Sequence, residues 1–106
     1  MTHDWAAHVK KYVPNADDLA IKGVVKHCGI ALQSRDGSVV SCTDKAERDR
    51  VRDSFLKKKL ALSESDADLD KAIMDVCQKM HADRDKPRVS FYYLLAEKYG
   101  KLAMFH

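Results

Sequence analysis

The fold is decided by residues 65–80, which read SDADLDKAIMDVCQKM. The apolar side chains of this stretch recur at i, i+3, i+4, i+7 and i+11, the spacing of one helical face. They are Leu69, Ala72, Ile73, Val76 and Met80. Acidic residues fill the first turn, where the helix dipole favours negative charge, and the Ser65 hydroxyl can cap it. The stretch predicts an amphipathic helix that runs to near Asp83 and buries one face.

Working outward, four more stretches have helical periodicity, at residues 4–13, 15–28, 44–60 and 90–100. Their expected starting residues are Asp4, Asn15, Ser41 or Thr43, and Ser90. Pro14, Gly29 and Gly100 are expected to end three of them. Gly23 lies inside the second helix at a cost of about 1 kcal/mol relative to alanine, so a close approach of another segment is expected there.

Residues 30–41 leave two alternatives open. Apolar residues flank Asp36-Gly37, a dipeptide that favours a tight hairpin turn. The second helix could instead continue through Leu32 and end at a plain turn. A short hairpin would need another element to pack against, because an isolated two-stranded ribbon is only marginally stable.

Composition agrees with this helical pattern. The 106 residues include only four glycines and two prolines, with 45% hydrophobic and 33% charged residues. The sequence therefore predicts a small all-α, single-domain bundle of about five helices over residues 1–106. No apolar run reaches the roughly 20 residues of a membrane span. Residues 1–5, Met-Thr-His-Asp-Trp, lack the features of a signal peptide, which predicts a cytoplasmic protein.

The cysteine content also favours a cytoplasmic protein. Cys28, Cys42 and Cys77 cannot all pair within one molecule, and none has C-x-x-C spacing. We interpret them as three reduced thiols, as is usual in a reducing compartment such as the cytoplasm.

Cys77 and His81 form the most concrete metal or thiol candidate, because they lie one helical turn apart. Further ligands would have to come from a scattered set: His3, His8, His27, Cys28 and Cys42. Zinc sites usually combine two close ligand pairs, and this sequence offers one. A core cysteine beside a surface histidine is the favoured interpretation. We expect no metal or cofactor, and the lack of any catalytic pattern predicts a protein that is not an enzyme.

Residues 44–59 have the most distinctive charge pattern, with seven basic and four acidic residues. On a helix, Lys45, Arg48, Arg52 and Lys59 fall within one narrow arc. Lys57 and Lys58 extend this basic stripe around the helix end. Residues 63–86 have the opposite balance, with seven acidic and four basic residues. These charges therefore predict a molecule with one basic and one acidic side.

The basic stripe has three interpretations. It can be a solvated face with local ion pairs, such as Arg48 with Asp44 or Arg52 with Asp49. It can also bind an acidic protein partner, or bind nucleic acid weakly through phosphates. Nucleic acid is the less favoured ligand, because no aromatic residues alternate with the basic ones.

The run Phe91-Tyr92-Tyr93 has to spread around its helix, since consecutive residues do not share a face. If Phe91 points inward, at least one of Tyr92 and Tyr93 is expected to be partly exposed. Exposed tyrosines are common in protein interfaces. The two tyrosines therefore join the basic stripe as a predicted partner-binding surface.

Three strings carry a resemblance to a known family: AIKG at residues 20–23, VRDSFLKKKL at 51–60 and RVSFYYLLA at 88–96. They are similar to an uncharacterised bacterial family, domain of unknown function number 2853. The likeness extends from about Val9 to Leu102. It implies a bacterial, cytoplasmic, single-domain protein and supplies no activity, cofactor or site residue.

Together these patterns predict a non-enzymatic protein-interaction module of unknown partner, either monomer or homodimer. The apolar tail Leu102-Ala103-Met104-Phe105 could cover its own bundle or a second copy. Weak nucleic-acid binding and a small site at Cys77 and His81 are the alternatives.

Overall fold

The structure is a computed structural model that describes residues 4–106. Predictions that concern residues 1–3, including His3 as a metal ligand, lie outside this range. Six α-helices occur within it: α1 (Trp5–Tyr12), α2 (Asp18–Cys28), α3 (Arg35–Ser38), α4 (Lys45–Arg50), α5 (Asp66–Lys79) and α6 (Arg88–Lys98). The remaining elements are the 3-10 helices Gly29–Gln33 and Leu102–Phe105, the π-helix Val51–Lys59, and the strands β1 (Val39–Val40) and β2 (Lys86–Pro87). The all-α prediction is confirmed.

α6 is the central helix, because every residue from Arg88 to Ala96 is buried. α1, α2 and α5 pack around it, and the π-helix packs against α5. Phe55, Leu69, Ile73 and Leu95 have no exposed surface. Each such side chain contributes about 1.5–3 kcal/mol when it leaves water. None of the helices in residues 4–106 is both long and apolar enough to cross a bilayer.

Two predicted helix starts are confirmed by their capping bonds. Asp4 accepts the amide of Ala7 at 2.9 Å at the start of α1, and Ser65 accepts the amide of Asp68 at 3.2 Å at the start of α5. Each bond satisfies an amide that has no partner within the helix. The helix that the sequence predicts best, α5, therefore begins where expected, although it ends at Lys79 rather than near Asp83.

Two other predicted starts are wrong by one to three residues. α2 is capped by Asp17 rather than Asn15, because residues 13–16 form a turn that leaves Asp17 as the extended residue before the helix. α4 is capped by Asp44 rather than Ser41 or Thr43 for the same reason. In both cases a carboxylate accepts the first free amides.

α6 begins at Arg88, two residues before the predicted cap Ser90. Pro87 precedes the first turn, and no side chain caps it. Ser90 thus lies inside the helix, fully buried, where its hydroxyl is free for a tertiary contact.

The predicted helix at residues 44–60 is continuous, but its geometry changes at Val51. From there to Lys59 it is a π-helix, and the Leu60 amide bonds to the Phe55 carbonyl at 2.9 Å, five residues back. The wider turn brings both Phe55 and Leu56 into the core with no exposed surface. π-helical segments are rare and often occur at functional sites.

Residues 30–41 contain one strand, but it pairs with a distant partner instead of folding back on itself. Val39 lies opposite Pro87 and Val40 opposite Lys86, in antiparallel orientation. Asp36 and Gly37 lie within α3 rather than in a hairpin turn. The Ser34 hydroxyl accepts the Gly37 amide at 2.9 Å, and this cap favours a helical turn.

The C-terminal 3-10 helix lies across α2 of the same chain. A β-carbon at Gly23 would overlap the backbone carbonyl of Phe105, and Phe105 itself is buried. The expected close approach at Gly23 is confirmed. The tail therefore covers its own bundle, whereas the choice between monomer and homodimer stays a prediction.

Candidate functional site

Half of the predicted basic stripe is neutralised by carboxylates of the same chain. Arg52 pairs with Asp49 at 3.3 Å, as the sequence predicts, and also with Asp70 of α5 at 3.2 Å. Lys57 pairs with Asp66 at the start of α5. The basic and acidic helices of the sequence therefore face each other and pair, rather than forming two free surfaces.

The remaining members of the stripe differ in their surroundings. Lys45 pairs with Asp49 at 2.7 Å, and Arg48 donates to the Cys42 carbonyl at 2.6 Å instead of pairing with Asp44. Within residues 4–106, Lys58 and Lys59 have no acidic partner. Three members of the predicted stripe, Arg48, Lys58 and Lys59, therefore have no carboxylate partner in the described residues.

The predicted exposure of Tyr92 and Tyr93 is wrong. Their residues are 7% and 1% exposed, because α6 is surrounded by other elements on every side. Tyr92 stacks on Phe55 with ring centroids 3.9 Å apart, and the Tyr93 hydroxyl accepts the Asp17 amide at 2.8 Å. Neither tyrosine is therefore an exposed residue, although Tyr92 lines the wall of a cavity.

A buried ion pair joins α4 and α6. The Arg88 Nη2 donates to Glu47 at 2.5 Å, and the two residues are 9% and 6% exposed. The same guanidinium donates to the carbonyls of Gly37 at 2.6 Å and Val39 at 3.0 Å, and to the Tyr92 hydroxyl at 2.8 Å. Burial works to lower the pKa of Arg88, but Tyr92 and Glu47 hold it above its usual value. The arginine is thus fixed by four partners.

A second polar cluster joins α1 to α6. His8 Nδ1 lies 2.6 Å from the Ser90 hydroxyl, and His8 Nε2 lies 3.3 Å from Asp83. Burial and the hydrogen bond from Tyr12 to Asp83 raise the pKa of Tyr12 to about 12. These are the residue types of a Ser-His-Asp triad, but Ser90 has no exposed surface. Because a substrate cannot reach the Ser90 hydroxyl, we infer that the cluster serves to hold α1 against α6.

The interpretation of three reduced thiols is wrong, since Cys42 and Cys77 form a disulfide with Cα atoms 6.0 Å apart. Cys28 stays free and buried, and burial raises the pKa of its thiol to about 11. With its sulfur in a disulfide, Cys77 is no thiolate ligand for a metal beside His81. In residues 4–106, no three potential ligands of the His, Cys, Asp and Glu types gather as a metal site would require.

Two open cavities of about 310 Å³ each lie on either side of His27, and we treat them together as a basic groove. We define this groove by its cationic and histidine side chains: Lys26, His27, Arg50, Lys59, Arg88 and His106. No acidic residue lines either cavity. Burial and the nearby charge of Lys59 lower the pKa of His27. The groove is therefore suited to an anionic ligand.

The comparison with known families agrees with the resemblance in the sequence. Residues 4–103 match the family described as a protein of unknown function (DUF2853). The chain belongs to the DUF2853 family. No curated protein matches the DUF2853 chain. Family membership therefore identifies the chain without giving it an activity or a site residue.

Sequence reasoning missed three features of this DUF2853 protein: the Arg88–Glu47 pair, the His8 cluster and the disulfide. Each joins residues 35 or more positions apart, at separations of 41, 82 and 35. Periodicity and capping are local signals and carry no information on such pairs. Only the position of Arg88 directly after Pro87, at the start of a strongly apolar helix, marks it as unusual.

Proposed function

We propose that the protein is a non-enzymatic interaction module that binds an acidic segment of a partner protein in the basic groove. One observation carries the proposal. Three of the six residues of the basic stripe pair with carboxylates and Arg48 bonds to a backbone carbonyl. Lys26 and Lys59, in contrast, line an open groove and have no carboxylate partner in residues 4–106. Unpaired cations around a cavity attract carboxylates and increase the rate of encounter with an acidic partner.

Arg50 adds a donor to the second cavity of the groove. It bonds to Glu47 through one nitrogen at 2.5 Å, and 65% of its side chain is exposed. A guanidinium has five N–H donors, so several remain for a ligand. The same groove includes Met104, which is 44% exposed and offers apolar contact. The composition of the groove therefore suits a peptide that has both carboxylates and an apolar side chain.

An acidic peptide is favoured over nucleic acid. Binding to single strands usually relies on exposed aromatic rings that stack on bases. The rings nearest the groove, Phe55, Tyr92 and Phe105, are all buried. Duplex binding requires a row of phosphate contacts. Three of the six residues of the stripe that could provide them are paired with Asp49, Asp66 and Asp70. The experiment must therefore distinguish binding of an acidic peptide from binding of nucleic acid.

A bacterial, cytoplasmic setting stays a prediction. The disulfide removes the argument from reduced thiols, and the absence of a membrane-spanning helix applies to residues 4–106 alone. Fractionation of a bacterial host, with detection by antibody, would test the location directly.

The proposal is tested with a charge-reversed groove, Lys26→Glu/Lys59→Glu, and a matched control, Lys71→Glu/Lys79→Glu. The control residues are exposed on α5 and have no acidic partner in the described chain, so both variants change the net charge equally. Partners captured from the host by immobilised wild type are purified, and their affinities are measured for all three proteins. We expect the groove variant to bind at least tenfold more weakly, about 1.4 kcal/mol, and the control to bind like wild type.

Two outcomes contradict the proposal. If groove and control variants weaken binding equally, net charge alone is responsible. If the groove variant binds normally, the partner uses another surface. Fluorescence anisotropy with single-stranded and duplex oligonucleotides tests the nucleic-acid alternative. Binding driven by phosphates would be recognised by its steep fall with salt. Tight, groove-dependent binding of an oligonucleotide would replace the acidic peptide as the ligand.

A further inference from the structure

The Cys42–Cys77 disulfide has no part in the proposed function, and its two cysteines have different surroundings. Cys42 lies in the loop between β1 and α4 and is partly exposed. Cys77 lies on the inner face of α5 and is 6% exposed. A thiolate in solution therefore reaches the Cys42 side of the bond more easily.

The chain around Cys42 is held on both sides by other contacts. On the β1 side, the Val39 carbonyl accepts Arg88 at 3.0 Å. On the α4 side, Glu47 pairs with the same guanidinium. These contacts do not depend on the disulfide. Opening the bond would leave the loop between β1 and α4 held at Cys42 by the hydrogen bond from Arg48, while both of its ends stay attached to α6.

A cavity lies among residues that neighbour the two cysteines, although neither cysteine lines it. This cavity of about 320 Å³ has Arg48 and Ile73 in its walls. Arg48 contacts the Cys42 carbonyl at 2.6 Å, and Ile73 lies one helical turn before Cys77. The free thiol Cys28 does not compete as an attacking group, because it is buried and its pKa is raised to about 11 by burial.

We propose that Cys42 is a thiol-exchange site, at which a low-molecular-weight thiol forms a mixed disulfide and opens the bond to Cys77. The thiolate attacks the Cys42 sulfur, the Cys42–Cys77 bond breaks, and its electron pair leaves on the Cys77 sulfur, which takes a proton. A second thiolate then attacks the sulfur of the small thiol. This step releases Cys42 as a thiolate and yields the disulfide of the reductant, a two-electron reduction overall.

The test uses the folded full-length chain and glutathione as the probe. Oxidised protein is incubated in buffers with graded ratios of reduced to oxidised glutathione, quenched in acid, alkylated and mapped by mass spectrometry. We expect the glutathione adduct on Cys42 to exceed that on Cys77 at least tenfold, with Cys77 alkylated in the same molecules. A Cys28→Ser variant serves as the control and should give the same distribution.

Hydrogen exchange on the fully reduced protein supplies a second measurement. Amide protection should fall in residues 41–44 while α2 and α6 keep theirs. Three results would overturn the proposal: three free thiols before any reductant is added, an adduct mainly on Cys77, or reduction that requires urea. Loss of protection throughout the chain would also overturn it, since the bond would then be essential to the fold. A failure of the basic groove to bind acidic partners leaves these readouts unaffected.

Discussion

Two regions of the molecule are held together in different ways. Around α6, helices α2 and α5 contribute apolar side chains with no exposed surface, such as Val24, Leu69 and Ile73. Residues 34–47, which we name the latched segment, contribute few such side chains and contain a four-residue helix and a two-residue strand. This segment is attached by polar bonds to Arg88 and by the Cys42–Cys77 disulfide.

The two regions differ in how their stabilising free energy is distributed among side chains. Apolar burial is spread over many side chains, so the loss of one methylene costs only a part of the total. The polar bonds of the latched segment to α6 come from a single guanidinium, which bonds to Gly37, Val39 and Glu47. Removing that group leaves the Gly37 and Val39 carbonyls without this donor and leaves the buried carboxylate of Glu47, within the described chain, with only the largely exposed Arg50. The polar region should therefore be more sensitive to one substitution than the apolar region.

Arg88→Met should have the largest effect. It removes the buried cation from Glu47, which keeps only the largely exposed Arg50 as a partner among the described residues. Breaking a buried pair in this way costs about 3–5 kcal/mol. The measurement is the free energy of unfolding from urea denaturation at neutral pH. Hydrogen exchange should show the loss first in residues 34–47, because those amides belong to the latched segment.

The double variant Arg88→Met/Glu47→Leu is the control for that prediction. Replacing both members of a buried pair with apolar residues is often close to neutral, so we expect the double variant to recover most of the loss. If the double variant is as unstable as Arg88→Met, the carbonyl bonds to Gly37 and Val39 matter more than the charge of Glu47.

A smaller polar contact offers an intermediate test. Asp83 bonds to Tyr12, Lys11 and His8, and although burial opposes it, these bonds hold the pKa of Asp83 below its usual value. Asp83→Asn should cost about 1.5–3 kcal/mol at pH 7, the usual range for hydrogen bonds to a charged group. Since the folded-state pKa is lowered, the contribution is complete above the unfolded value of about 4.

As the pH falls through the lowered pKa, Asp83 is protonated and this contribution is lost. The difference between wild type and Asp83→Asn should therefore shrink below about pH 4, measured by urea denaturation at several pH values. A difference that stays constant down to pH 2 would mean that the charge of Asp83 is not involved.

The same contrast explains which parts of the fold could be predicted. α5 and its cap at Ser65 follow from local periodicity and a local hydroxyl, and both are confirmed. The partner of β1 and the site at Arg88 depend on residues that are 41 or more positions apart, for which the sequence has no local signal. The exposure of Tyr92 and Tyr93 was wrong because the pattern did not indicate that α6 is surrounded on all sides.

Ser65→Ala should have the smallest effect and marks the lower end of the comparison. The hydroxyl satisfies one amide, that of Asp68, and losing such a cap costs about 1 kcal/mol. Ser63→Ala is the matched control, since Ser63 is exposed and lies before the cap. Urea denaturation should show a loss for the first variant and no change for the second. Because α5 is also held by its buried apolar face, its loss should stay well below that of Arg88→Met. Equal losses at Ser65 and Arg88 would mean that the latched segment depends no more on a single group than the helices do.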